Sequence, residues 1–251
     1  MTTASLILLI ILFFVTSAIG VVTGSNSLVT VPVMFQFGVD PKVAVATNMF
    51  GLTFMNVGAT IPFLRKGVID TKKVTPLVLI TLVASAIGAA LVLLITPQNM
   101  KLIVSLAMIG VTIFTLAKRD AGVKEKAEVS PSAKVLTYAL TFALGIYGGL
   151  YSGGYVTMLT AVYVAFFGMT FSESVASTKL INIFSSLIAT AIFMWQGLVD
   201  YKLGLILAIA MFIGAYLGAH VVTKLSDVWL KRIFISVVLI LAVKTLYDFG
   251  F

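Results

Sequence analysis

The sequence contains two copies of one unit. When the numbering is shifted by 130, residues 24–101 align with residues 154–231 without a gap. The matched positions are Gly24 and Gly154, Gly38 and Gly168, Val45-Ala46-Thr47 and Val175-Ala176-Ser177, Gly67 and Gly197, Asp70 and Asp200, and Gly88 and Gly218. Such self-similarity predicts a fold of two similar halves, because each copy specifies the same arrangement of secondary structure.

The composition places these halves in lipid. Hydrophobic residues make up 60% of the 251 residues, charged residues only 10%, and the mean hydropathy is +1.14. A soluble domain carries roughly a quarter charged residues. An apolar chain with an internal repeat is typical of membrane carriers, whose substrate site commonly lies between the repeats.

Eight apolar stretches have about the length needed to cross a 30 Å bilayer core. They cover residues 4–22, 43–64, 74–95, 101–117, 135–150, 174–195, 203–222 and 233–247. Two shorter stretches, 28–37 and 156–167, each follow a small polar turn and indicate half-helices of broken or re-entrant segments. We therefore predict an all-α polytopic membrane protein with about eight transmembrane segments and two half-helices.

The polar stretch 118–134 divides the chain into a first membrane repeat, 1–117, and a second, 135–251. If the repeats are inverted, twelve basic loop residues share the side of this connector and three lie opposite; a parallel arrangement gives ten against five. The positive-inside tendency therefore favours inverted repeats with a cytoplasmic connector and both termini outside. It also accounts for the net charge of +8 without a nucleic-acid partner.

The distribution of acidic residues indicates the charge of a substrate. All nine Asp and Glu residues fall in loops or at segment ends. An intramembrane acid relay for protons or sodium is therefore not expected, and an interior without negative charge suits an anion. The absence of cysteine and the single histidine, His220, exclude thiolate and histidine-cluster metal sites, so we expect no cofactor.

Each polar turn precedes a half-helix whose first N–H groups lack partners and whose dipole is positive at that end. A small oxyanion fits such a terminus. The candidate binding residues are Gly24, Ser25, Asn26 and Ser27 in the first copy, and Ser152, Gly153, Gly154 and Tyr155 in the second. The alternative is that these small residues only permit tight packing and chain reversal.

Lys179 lies about six residues inside the apolar stretch 174–195, and its counterpart in the first copy is Met49. Burial of a lysine charge at this depth in the membrane costs free energy unless the side chain faces a polar cavity or extends to the membrane interface. Both interpretations of Lys179 remain open. The polar residues that would line a site with it are Thr47, Asn48, Ser177, Thr178 and Asn182.

Several strings resemble one family. They are Gly-x-x-x-Gly at 20–24, Leu-Val-Thr-Val-Pro at 28–32, Phe-Gly-Val-Asp-Pro-Lys-Val-Ala-Val-Ala-Thr-Asn at 37–48, Leu-Arg-Lys-Gly-Val-Ile-Asp at 64–70, Gln-Gly-Leu-Val-Asp at 196–200 and Ala-Tyr-Leu-Gly-Ala at 215–219. Together they resemble the TauE/SafE family of sulfite and organosulfonate exporters over nearly the whole chain. The resemblance implies a permease of the bacterial cytoplasmic membrane that moves small sulfur-containing anions.

We therefore expect a transporter rather than an enzyme, one that exports sulfur oxyanions, sulfite first among them, by alternating access across the lipid bilayer. The alternatives are an anion channel on the same scaffold and an organosulfonate permease of the sulfoacetate type. A membrane-embedded sulfur-handling enzyme is least favoured, because the chain offers no cysteine, histidine cluster or buried acid for catalysis. Small-residue helix faces would permit a homodimer.

Overall fold

A computed structural model describes residues 3–24, 26–100, 102–103, 106, 129–226, 228–229, 232 and 236. Regular structure in these ranges is helical. The helices with both ends described are α1 (Thr3–Thr23), α2 (Asn26–Gln36), α3 (Pro41–Arg65), α4 (Thr71–Leu94), α5 (Pro131–Leu150), α6 (Tyr155–Phe166), α7 (Phe171–Trp195) and α8 (Tyr201–Val222).

The helices begin at short polar caps that recur at the repeat spacing. Asp40 accepts hydrogen bonds from the backbone N–H groups of the first turn of α3, and Thr170 caps α7 130 residues later. Asp70 and Asp200 cap α4 and α8 in the same way. Such caps satisfy N–H groups that no helical carbonyl can reach. The two halves therefore contain the same succession of helices.

Six helices, α1, α3, α4, α5, α7 and α8, are long and apolar enough to cross a membrane. They coincide with six of the eight predicted segments. The other two, 101–117 and 233–247, lie largely outside the described residues, as does most of the connector. At 1.5 Å per residue, α2 and α6 are only about 16 and 18 Å long, as predicted for half-helices.

The helix ends form two opposite faces. The Asp40 face carries Thr3, Asp40 and Asp200, which line one cavity. The Lys66 face carries Lys66, whose ammonium nitrogen donates to the carbonyl oxygen of Thr223 at 2.7 Å. The first turns of α4 and α7 also lie side by side, through Lys73 and Glu173. Helix α3 therefore starts at the Asp40 face and ends at the Lys66 face, whereas α7 starts beside α4.

Each half-helix folds back on the helix before it. In the first half, the side-chain nitrogen of Asn26 donates to Ser17 Oγ at 2.8 Å, and Phe37 lines the same cavity as Thr3. In the second half, the rings of Tyr138 and Phe167 are 6.0 Å apart. Helices α2 and α6 therefore return to the face from which α1 and α5 start, and both turns lie in the interior.

Glycines allow neighbouring helices to touch each other backbone to backbone. A Cβ atom on Gly218 of α8 would overlap the carbonyl oxygen of Ala18 in α1, and one on Gly88 of α4 would overlap that of Ile146 in α5. A Cβ atom on Gly214, one turn before Gly218, would likewise overlap the carbonyl oxygen of Phe14 in α1. In lipid, where apolar contact alone gives little driving force, such approach is a main source of helix association.

We expect Gly218→Val to destabilise the protein by about 1–3 kcal/mol, because the added side chain forces α1 and α8 apart. The measurement is the midpoint of thermal unfolding in detergent. Leu217→Val is the matched control, since Leu217 is 50% exposed and adjoins the same helix turn. Equal midpoints for the two variants would contradict the packing described.

Candidate functional site

The interior turns of the two half-helices meet and bond to each other. The hydroxyl of Thr157 donates to the carbonyl oxygen of Thr23 at 2.6 Å, and that of Tyr151 donates to the carbonyl oxygen of Ser27 at 2.9 Å. The hydroxyls of Ser27 and Ser152 are 2.8 Å apart. All these side chains are at most 5% exposed. The N-termini of α2 and α6 are thus held together inside the protein.

Glycine is required at these turns. Gly24 and Gly154 both adopt left-handed backbone conformations, with φ of +68° and +77°, which other residues adopt only at a cost. A Cβ on Gly24 would lie 2.6 Å from a methyl of Val156 and 2.9 Å from the backbone nitrogen of Thr157. A Cβ on Gly153 would overlap the ring of Tyr151. The turns therefore approach more closely than side chains would permit.

Each half-helix is also tied to the long helix that follows it. Asn48 of α3 donates from its side-chain nitrogen to Ser27 Oγ and accepts from Thr30 Oγ1, both at 2.8 Å. At the matching positions, the hydroxyls of Thr160 and Thr178 are 3.4 Å apart. The same pair of positions therefore links half-helix to long helix in both copies, and both pairs adjoin the meeting point of the turns.

Lys179 ends at the last turn of α1. Its ammonium nitrogen donates to the carbonyl oxygen of Gly20 at 2.7 Å, and the residue is only 1% exposed. Snorkelling to the interface, one of the two readings of the sequence, is therefore wrong. The side chain instead crosses to α1, in the other half of the protein. It is the one charged side chain among the buried residues that the structure describes.

This contact changes the electrostatics of the interior. The last carbonyls of a helix carry about half a negative charge, which Lys179 neutralises at the end of α1. The positive end of α2 is then left without an opposing charge from the end of α1, whereas α5 still ends beside the start of α6. The described acids give no compensation, because Asp40, Asp70 and Asp200 are exposed and Glu173 lies at the Lys66 face. The resulting interior favours a bound anion.

The remaining predicted residues are only partly brought together. Thr47 accepts from the backbone nitrogen of Asp200 at 3.0 Å and so lies toward the Asp40 face. The side-chain oxygens of Asn26, Ser177 and Asn182 are buried without a hydrogen-bond partner. Buried polar atoms are normally bonded, so these three are available to water or a ligand. Tyr155 packs on Gly148, and Ser25 lies outside the described residues.

Four hydroxyl residues at this site were not among the predicted binding residues: Thr30, Tyr151, Thr157 and Thr160. The repeat contains a signal for three of them, because a shift of 130 pairs Ser27 with Thr157 and Thr30 with Thr160. Hydroxyls at both members of each pair indicate a shared polar function. No such signal exists for Tyr151, whose counterpart is Val21.

Six apolar helices of spanning length around a polar interior define a multi-pass membrane protein, and comparison with known proteins identifies it as a transporter. Residues 8–245 match the model of the family described as "Sulfite exporter TauE/SafE". The chain belongs to this family.

Three relatives have names that state transport without a substrate. A probable membrane transporter protein of Sinorhizobium, ORF9, is 25% identical over 94% of this chain and 90% of its own length. The probable membrane transporter protein of Haemophilus influenzae is 24% identical over 97% of this chain and 96% of its own length. YfcA of Escherichia coli is 25% identical over 96% of this chain and 91% of its own length. No solved structure matches the chain.

Proposed function

We propose that the protein exports small sulfur-containing anions, with sulfite as the principal substrate, across the bacterial cytoplasmic membrane. The observation that carries this proposal is the meeting of two half-helix N-termini beside Lys179, in an interior where the described acids are not buried. Backbone N–H groups at helix starts, hydroxyls and an ammonium group are the donors that a small oxyanion requires. The family description supplies the sulfur chemistry.

Inverted repeats are the second part of the proposal. It is supported by helix direction: α3 runs from the Asp40 face to the Lys66 face, and α7 runs the opposite way. Basic residues also separate between the faces. Arg65, Lys66, Lys72 and Lys73 belong to the loop of the Lys66 face, whereas the loops of the Asp40 face hold Lys42 and Lys202. By the positive-inside tendency, the Lys66 face is the cytoplasmic one.

The hydrogen bonds between the turns suggest how an anion enters. In the described state the hydroxyls of Ser27 and Ser152 are hydrogen-bonded to each other, so one of their two hydrogens is used between the turns. If one half rocks against the other, this bond opens and both hydroxyls can donate to an oxyanion at the same place. Binding would then replace protein–protein hydrogen bonds rather than leave buried groups unpaired. Such exchange suits alternating access around a fixed site.

The membrane potential is sufficient to drive export. An anion that leaves a cell with a negative interior gains about 2.3 kcal/mol per charge for each 100 mV. No buried carboxylate among the described residues offers a site for a coupling proton or sodium ion. We therefore expect transport to follow the potential and the substrate gradient.

Sulfite release from proteoliposomes under an imposed potential tests this function. We expect saturable release that accelerates as the lumen becomes more negative, exchange of labelled sulfite against unlabelled sulfite, and weaker competition by sulfate than by sulfite. Release with strict dependence on a proton gradient at fixed potential would contradict the driving force proposed. Conductance without exchange would instead indicate a channel, and preferential exchange of sulfoacetate would indicate an organosulfonate permease.

A further inference from the structure

The two faces of the protein differ at positions that the repeat makes equivalent. At the Asp40 face, a cavity of about 540 Å³ lies among the ends of α1, α2, α3 and α8. Val43 from the first turn of α3 and Leu203 from the first turn of α8 both line it. One of these helices belongs to each half, so the cavity lies between the ends of the two halves, beside the hydrogen bond from the backbone nitrogen of Asp200 to Thr47.

At the Lys66 face, the equivalent positions hold a charged pair. A shift of 130 converts Val43 to Glu173 and Leu203 to Lys73. Their charged atoms are 3.4 Å apart, and the side chains are 13% and 40% exposed. The pair joins the first turns of α7 and α4, again one helix from each half. The two halves are thus connected at the place where the other face has a cavity.

We propose that Lys73 and Glu173 form a latch that closes the cytoplasmic face in the state that the structure describes. This inference rests on the proposed carrier function. When the carrier rocks, the latch separates, and Val43 and Leu203 come together at the opposite face. The cytoplasmic face closes through a charged pair, and the opposite face closes through an apolar pair at the equivalent positions. The free energies of the two closures therefore differ.

The residue behind the latch is a sensitive reporter of its opening. Ser177 lies one helical turn beyond Glu173, is fully buried, and its hydroxyl has no hydrogen-bond partner. Its equivalent, Thr47, lies one turn beyond Val43. Opening of the latch would expose Ser177 to the cytoplasmic side, whereas Val43 is already at a cavity in the described state.

The chain has no cysteine, so single cysteines can be introduced without background. The experiment measures the rate at which Ser177→Cys reacts with a membrane-impermeant maleimide added to the Lys66 side of oriented vesicles. We expect Glu173→Gln to raise this rate about threefold to fivefold, the population shift that one partly exposed ion pair can supply. The same substitution should slow the labelling of Val43→Cys from the other side by a similar factor.

Two further variants separate the latch from other effects of substitution. The exchange of charges, Lys73→Glu with Glu173→Lys, should return both labelling rates toward those of the unsubstituted pair. Lys72→Gln removes one positive charge beside Lys73 without breaking the pair and should leave both rates unchanged. Equal labelling of Ser177→Cys with and without Glu173→Gln would overturn the latch, as would accelerated labelling that persists after the charge exchange. Sulfite release in the same vesicles tests the carrier function separately.

Discussion

Replacement of Lys179 by methionine should lower the rate of sulfite release by about 100-fold, because a buried hydrogen-bonded charge contributes several kcal/mol to binding of an opposite charge. The substitution also removes the ammonium group that neutralises the end of α1 at Gly20. The partial negative charge of that helix end would then oppose an anion in the same interior. Both effects act in one direction, so the loss should appear in the maximal rate and in the apparent affinity.

Stability should respond differently from transport. A buried ammonium without a carboxylate partner carries a desolvation penalty, and its replacement by an apolar side chain of similar length is often neutral or stabilising. We therefore expect the thermal midpoint of Lys179→Met to stay near that of the original protein or to rise. Lys179→Arg keeps the charge and should retain part of the activity.

Lys134→Met is the control for the overall charge, since Lys134 is exposed at the start of α5. We expect its transport to be unchanged. Full sulfite release by Lys179→Met would remove this residue from the anion site and would leave the two turns as its only candidate donors. A large fall in thermal midpoint together with the loss of transport would assign Lys179 to structure alone.

The helices of this protein are predictable because their signals are local. Apolar length marks the spanning helices, and the glycines that recur at 24 and 154, 38 and 168, and 67 and 197 all adopt positive φ in the connections between helices. Half-helices were predicted from the short length of two apolar stretches and from the polar turn before each, and the structure has a short helix at both places. Because the sequence is duplicated, each feature occurs twice at the same spacing. Each occurrence therefore supports the prediction made from the other.

The partners of the interior polar groups could not be predicted in the same way. Lys179 bonds to a backbone carbonyl 159 residues away, and every residue has such a carbonyl, so the sequence at Gly20 carries no specific signal. Thr47 and Ser177 are equivalent in sequence, yet only Thr47 bonds to a neighbouring helix. Their difference depends on which groups of neighbouring helices lie within reach, which a symmetric sequence pattern does not encode.

Replacement of Gly24 by alanine should abolish transport and destabilise the protein more than the same change at Gly38. The two glycines have similar conformations, with φ of +68° and +79°, so alanine at either position carries the left-handed penalty of about 1–2 kcal/mol. Their surroundings differ. A Cβ on Gly38 meets nothing within 4 Å, whereas one on Gly24 lies 2.9 Å from the backbone nitrogen of Thr157.

The difference between the two variants therefore isolates the contact between the turns. We expect Gly24→Ala to cost about 1–3 kcal/mol beyond the cost at Gly38, the usual range for overpacking in a core without free volume. The added methyl group should also push α2 from α6 and lengthen the hydrogen bonds that join the turns through Ser27, Ser152 and Thr157. Donors that must converge on one small anion tolerate such a displacement poorly.

Thermal midpoints in detergent and sulfite release from proteoliposomes are the two measurements. Gly38→Ala should release sulfite at nearly the original rate once its modest loss of stability is compensated by a lower assay temperature. Gly24→Ala should remain inactive at every temperature at which it is folded. If both variants transport sulfite equally, the two turns only reverse the direction of the chain and do not form the anion-binding site. The anion must then bind elsewhere in the interior.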